Sequence, residues 1–133
     1  MSDSPAVKSQ LTHFPPPLSF GPLPFSSAVL AGNTLYLSGH IGVDPATRQV
    51  PPEIDREIRL MMDSFRQTLA QAGLGMQHLV SVQIFCPDVT LFEPFNAIYR
   101  TYFIEPLPAR AFLGSGPLLF NAHFEIQGIA VKA

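Results

Sequence analysis

Arg110 and Glu125 are the residues whose types and settings suit chemistry. The chain has only eight Lys and Arg residues, and Arg110 differs from the rest in its company. It lies in Pro106-Leu107-Pro108-Ala109-Arg110-Ala111-Phe112-Leu113, an apolar run behind a Pro-x-Pro that fixes the backbone just before it. A guanidinium among apolar neighbours needs a partner, because an unpaired buried charge is costly. That partner is either a protein carboxylate or an anionic ligand, and Arg can grip a carboxylate through two parallel hydrogen bonds. Glu125, on a neighbouring element, can gain a raised pKa in a partly apolar cleft and serve as general acid or base. Ser38 and Gly39, at the end of an earlier strand, add small hydrogen-bond donors. Together these residues suit a small acid as substrate or ligand. The plainer alternative is that Arg110 and Glu125 pair with each other. His40 follows Ser38 and Gly39 and either lines the same pocket or sits at the surface.

Other chemistries lack a pattern. His13, His40, His78 and His123 are scattered without metal-ligand spacing, so no metal is expected. Leu113-Gly114-Ser115-Gly116-Pro117 opens no helix and is no phosphate loop, and there is no nucleophile elbow. The single Cys86 excludes an intrachain disulfide and, in the apolar run Val82 to Cys86, reads as a buried structural thiol. A net charge of −2 and a pI near 6.0, with no Lys/Arg run, give no electrostatic basis for nucleic acid as a partner. No apolar run reaches membrane-spanning length, and the start lacks a secretory pattern, so a cytoplasmic protein is expected.

The length of 133 residues fits one domain. Residues 1 to 20, with Pro15-Pro16-Pro17, read as an irregular arm, and residues 21 to 133 as the domain. Ser26 to Leu30 reads as a strand, Ala31-Gly32-Asn33 as a hairpin turn, and Thr34 to His40 as an alternating strand. Its Leu35 and Leu37 face one way, and Tyr36, Ser38 and His40 the other. Asp44-Pro45-Ala46-Thr47 reads as a turn. Ile54, Ile58, Met61, Met62, Phe65, Leu69 and Ala72 recur at helical spacing and predict an amphipathic helix of five turns that Gly73 ends. Leu79 to Cys86 is the next strand, with Val80, Val82, Ile84 and Cys86 on one face. Thr90 to Glu93 fits a capping box for a second helix with Phe92, Phe95, Ile98, Tyr99 and Tyr102 as its stripe. Ala109 to Gly114 and His123 to Val131 are the last strands. The order β-β-α-β-α-β-β predicts an α+β protein with two helices on one sheet face. The other face would carry Tyr36, Ser38, His40, Gln83, Phe85, Glu125, Gln127 and Arg110, a mixture suited to a subunit interface containing a pocket. The low charged fraction, 14%, likewise predicts a face covered by another subunit.

Several segments resemble the YjgF/RidA family. Ala31-Gly32-Asn33-Thr34-Leu35-Tyr36-Leu37-Ser38-Gly39-His40-Ile41 is similar to the family's Gly-Asn…Ser-Gly-Gln-Ile segment. Pro108-Ala109-Arg110 is similar to its Pro-Ala-Arg signature, and Phe124 to Ala130 to its terminal strand. Asp44 to Thr47 and Phe95 to Tyr99 also fit, and the match spans residues 21 to 133. The resemblance implies a chorismate-mutase-like fold with a mixed sheet, a homotrimer with clefts between subunits, and hydrolysis of enamine or imine intermediates to 2-keto acids and ammonia without a cofactor. It implies that Arg110 grips the substrate carboxylate, that Glu125 positions or activates water, and that Ser38, Gly39 and Asn96 line the cleft. Phe25 replaces a family Tyr, His40 replaces the Gln, Phe112 is bulky where a small residue is usual, and Pro117-Leu118-Leu119-Phe120 replaces a charged loop. These departures imply a larger or more apolar substrate, or lost activity. The other reading is therefore a non-catalytic trimer that binds small carboxylates or a protein partner. A ribonuclease activity, reported for some relatives, is disfavoured by the acidic pI.

Overall fold

The computed structural model describes residues 10–17 and 20–132. One six-stranded sheet carries two α-helices on one face. The strands are β1 (Leu11–Phe14), β2 (Ala28–Ala31), β3 (Thr34–His40), β4 (Leu79–Cys86), β5 (Ala109–Gly114) and β6 (Glu125–Val131); the helices are α1 (Ile54–Gln71) and α2 (Phe92–Tyr99). Their order across the sheet is β1-β2-β3-β6-β4-β5, and only β4 and β5 run parallel. The mixed α+β layer predicted from the sequence is present, with one strand more. That strand corrects the reading of residues 1 to 20 as irregular throughout, because Leu11 to Phe14 pairs antiparallel with β2. Its side chains are largely exposed, so it leaves little apolar alternation to read. Residues 1–9 and 18–19 of the expected arm lie outside the described residues.

The core lies between the helices and the sheet. Ile58, Met61, Met62, Phe65 and Leu69 of α1 are fully buried against Leu35 of β3, Ile84 of β4 and Ile126 and Ala130 of β6. The helical spacing of apolar residues produces this stripe, and at about 25 cal/mol per Å² its burial is the main favourable term of the fold. α1 ends as the sequence predicts: the Gly73 and Leu74 amides return to the carbonyls of Ala70 and Leu69, closing a Schellman turn. Ahead of α1, Asp44 organises its loop. Its carboxylate accepts from the Ala46 amide at 2.8 Å and from Arg56 on the first turns of α1. The start of α2 corrects one expectation. The Thr90 hydroxyl does not cap it; Asp88 accepts from the Thr90 amide at 3.0 Å and nucleates a short 3-10 turn that leads into the helix.

Two β-bulges change which side chains face the helices. Between Leu37 and His40, β3 holds one residue more than the β6 segment it opposes. Between Leu79 and Ser81, β4 does the same. An extra residue inverts the in-out alternation beyond it. Hence Leu79 is buried and Val80 is exposed, contrary to the strict alternation read from the sequence. His40 turns inward for the same reason.

Candidate functional site

Arg110 stands near the start of the edge strand β5, on the row of Val82 of β4. Val82 faces the helices, and so does Arg110. Its guanidinium carbon lies 4.7 Å from the centroid of the Tyr99 ring and 5.7 Å from those of Phe92 and Phe112. Rings on three sides hold the cation through their negative faces. Among the described residues no carboxylate lies within ion-pair distance of it. Around it opens a cavity of about 370 Å³ lined by Phe92, Asn96, Tyr99, Leu107, Pro108 and Arg110, with Glu93 and Arg100 at its rim. Two buried polar atoms in that wall, Asn96 Oδ1 and the Tyr99 hydroxyl, have no well-aligned hydrogen-bond partner among the described residues. Burial pushes the Tyr99 phenol up to about 12 against the opposing charge of Arg110, so the hydroxyl stays protonated at neutral pH. A ligand carrying a carboxylate beside a hydrogen-bonding nitrogen or oxygen would satisfy all three groups, and buried polar atoms are seldom left unpaired.

Glu125 lies elsewhere. It opens β6 on the row of Phe85, facing the side of the sheet without helices. It sits against Gly39, where a side chain would collide with it: a Cβ there would lie 2.0 Å from Oε2. The bulge in β3 and the missing side chain of Gly39 together make room for this carboxylate. Partial burial pushes the Glu125 carboxyl above its ordinary value, and no described cation offsets that. Ser38, beside Gly39, donates its hydroxyl to the Ser26 carbonyl at 2.5 Å. This bond joins the end of β3 to the segment that carries Phe25, whose ring is half exposed. Glu125, Gly39 and Ser38 thus form a second half of the candidate site, and Phe25 lies one residue before the Ser26 carbonyl that Ser38 holds.

The two halves do not meet within one chain. Arg110 and Glu125 are three rows apart and are separated by β4. With about 3.3 Å per residue along a strand and about 4.8 Å between strands, their backbones are roughly 14 Å apart. Their side chains also leave opposite faces of the sheet. This corrects two expectations. Arg110 is not on the open face with Tyr36 and Gln127, because the parallel pairing of β5 gives it the orientation of Val82. Nor do Arg110 and Glu125 neutralise each other, because β6 is inserted between β3 and β4 rather than beside β5.

His40 and Phe112 are also placed differently from expectation. The bulge turns the His40 imidazole into the core, where Nδ1 donates to the Ser38 carbonyl at 2.7 Å and Nε2 accepts from Thr68 at 2.9 Å. The ring stands edge-on to Phe65, and burial holds its pKa below the usual imidazole value. His40 therefore braces the bulge rather than lining the open face. Phe112 packs edge-on against Phe92 and Phe95 of α2, so its bulk forms a wall of the arginine cage. Cys86 is buried as expected, and its thiol donates to the Asp88 carbonyl at 3.0 Å.

Reasoning from sequence missed Tyr99 and Glu57. Tyr99 was counted in an apolar stripe. Its spacing from Phe92 and Asn96, seven and three residues, places all three on one helix face, and two of them carry polar tips. Glu57 is fully buried on α1, where its carboxylate accepts from the backbone amides of His123 and Phe124 at 2.7 and 3.3 Å and from His123 Nδ1 at 2.7 Å. The signal was a charged residue four positions before Met61, on the buried stripe.

The family model for endoribonuclease L-PSP matches residues 21–132. The 2-iminobutanoate/2-iminopropanoate deaminase of Rattus norvegicus is 36% identical over 109 residues, covering 81% of this chain and 80% of that protein. The crystal structure of yeast Mmf1 superposes with a TM-score of 0.81 at 28% identity, covering 92% of this chain and 99% of that one. That of E. coli TdcF with bound serine gives 0.79 at 26%, covering 84% and 90%.

Proposed function

The chain belongs to the endoribonuclease L-PSP family, that of the YjgF/RidA proteins, and on that premise we propose that it hydrolyses 2-imino acids to 2-keto acids and ammonia. The observation that carries this reading is the Arg110 guanidinium, caged by aromatic rings, without a carboxylate partner among the described residues and flanked by Asn96 Oδ1 and the Tyr99 hydroxyl. A 2-imino acid offers a carboxylate to Arg110 and an N–H to Asn96. The serine of E. coli TdcF and the substrates named for the rat deaminase are likewise small amino-acid-like molecules.

In this reading the working site lies between copies of the chain in a homotrimer. Arg110, Asn96 and Tyr99 of one subunit bind the acid, and Glu125, Gly39 and Ser38 of its neighbour supply the reacting carboxylate. The separation of the two halves on opposite faces supports this, as does the open sheet face with Tyr36 half exposed. The chemistry needs little more. Ionised Glu125 takes a proton from water as its oxygen adds to the imine carbon. That proton passes to the nitrogen, giving a neutral carbinolamine; Glu125 then takes the hydroxyl proton and delivers it to the nitrogen as the C–N bond breaks, so that the C=O bond forms and ammonia leaves. Arg110 holds the carboxylate so that the imine carbon stays in line with the water.

The test is ammonia or keto-acid release from a freshly generated 2-imino acid, comparing wild type with Arg110→Ala. Loss of a bidentate contact should cost about 2–4 kcal/mol, or about two to three decades in rate. Equal, uncatalysed rates for both across several imines would sink the enzyme reading. The half-exposed Phe25 ring, which has no hydroxyl to offer, favours a second reading: a trimer that binds small carboxylates or a partner without turnover. Saturable keto-acid binding with no ammonia release would select it.

A further inference from the structure

Glu57 is a fully buried acid that the proposed mechanism does not use. Its stripe position on α1 calls for an apolar residue, and a fully buried carboxylate costs several kcal/mol unless well partnered. Every partner it has belongs to one short segment. Oε2 accepts from the backbone amides of His123 at 2.7 Å and Phe124 at 3.3 Å, and Oε1 from His123 Nδ1 at 2.7 Å. The next residue is Glu125. The other side of Glu57 is equally confined. A Cβ on Gly42, just beyond β3, would lie 2.1 Å from the Glu57 carbonyl oxygen and 3.0 Å from its Cγ. Glu57 is thus wedged between the exit of β3 and the entry of β6, the two strand ends that create the Gly39–Glu125 contact.

We propose that Glu57 is a positioning residue for Glu125, acting through the amides of His123 and Phe124, with the His123 imidazole as a third hydrogen-bond partner. The clamp fixes where β6 begins and therefore holds the Glu125 carboxylate against Gly39 on the open sheet face. Two amides could be satisfied by water at the surface, but here they are held by a rigid group on the helix across the core. The clamp acts on the Glu125 half of the site and leaves Arg110 untouched. The proposal rests on the reading of Glu125 as the reacting acid only for its kinetic consequence.

The test compares Glu57→Asp, which keeps the charge but withdraws it by one methylene, with Glu57→Gln, which keeps the reach and one amide acceptor. Three measurements are made on the full chain: kcat with a freshly generated 2-imino acid, equilibrium binding of 2-ketobutanoate, and the carbon-13 carboxyl titration of Glu125, assigned with Glu125→Gln. Glu57→Asp should lower kcat about tenfold, shift the Glu125 titration toward that of an ordinary carboxyl group, and leave keto-acid binding within twofold. Glu57→Gln should stay within threefold of wild type in kcat. The proposal is overturned if Glu57→Asp leaves the titration unchanged, or if keto-acid binding falls as far as kcat, the mark of a merely structural role. If wild type shows no turnover yet Glu57→Asp moves the titration, positioning stands and the deaminase reading falls.

Discussion

The Glu125 carboxylate lies so close to Gly39 that a Cβ at residue 39 would fall 2.0 Å from Oε2 and 2.8 Å from Cδ. No real Cβ tolerates such an approach, so Gly39→Ala must push Glu125 away. The expected result is a loss of about 1–3 kcal/mol in stability from overpacking, with a larger proportional loss of turnover than of keto-acid binding. Thermal unfolding and steady-state kinetics on the same preparation check this. An alanine variant with wild-type kcat would show that Glu125 need not sit there.

The Tyr99 ring and its hydroxyl have separable roles. The ring supports Arg110 from 4.7 Å, whereas the buried hydroxyl lies beside that guanidinium without a well-aligned hydrogen bond among the described residues. Tyr99→Phe keeps the ring over Arg110 and removes only the hydroxyl beside it, so it should leave stability within about 1 kcal/mol of wild type. Tyr99→Leu removes the ring and should weaken keto-acid binding by about 0.5–2 kcal/mol, the usual range for a partly desolvated cation over a ring. Denaturant melts and calorimetric titration with a keto acid distinguish the two.

Glu125 should make stability fall as pH rises. Burial raises its pKa in the folded state above that of the unfolded chain. Below the unfolded value both states are protonated and no penalty applies. Between the two values only the unfolded chain ionises, and above the folded value the penalty is complete. Glu125→Gln should therefore melt higher than wild type at pH 7, with the difference vanishing near pH 3. A difference that grows on acidification would contradict this.

Asp44 has the opposite sign. The hydrogen bond from Arg56, joined by the Ala46 amide, holds its carboxyl below the ordinary value. Its contribution is present above the unfolded pKa and disappears as pH falls through the lower folded value. Asp44→Asn should lower the melting temperature at pH 7, and wild type and variant should converge toward pH 2. Parallel melting curves across that range would show that the Arg56 contact contributes nothing.

Much of the fold was legible in the sequence. Thr34 to His40, Leu79 to Cys86 and Ala109 to Gly114 have the predicted strand bounds, because alternation and flanking turn residues are local signals. The five-turn α1 follows from its apolar spacing in the same way. The free state of Arg110 was legible only as a question: the local company demanded a partner without naming it. Leu11 to Phe14 escaped because an edge strand with exposed side chains has no buried face to leave a pattern.

What the chain alone determined was the inventory: which segments are strands or helices, that one cation stands among apolar residues, and that Ser38, Gly39 and Glu125 fall at strand ends. What tertiary structure decided was which way these groups point. One extra residue in β3 sent His40 into the core, and the register of β5 and β6 on β4, with Arg110 beside Val82 and Glu125 beside Phe85, put those two on opposite faces. The physical reason is that strand alternation has a period of two, so a single unpaired residue or a register shift of one reverses every side chain beyond it. Such pairings join residues far apart in sequence, where no local spacing can record them.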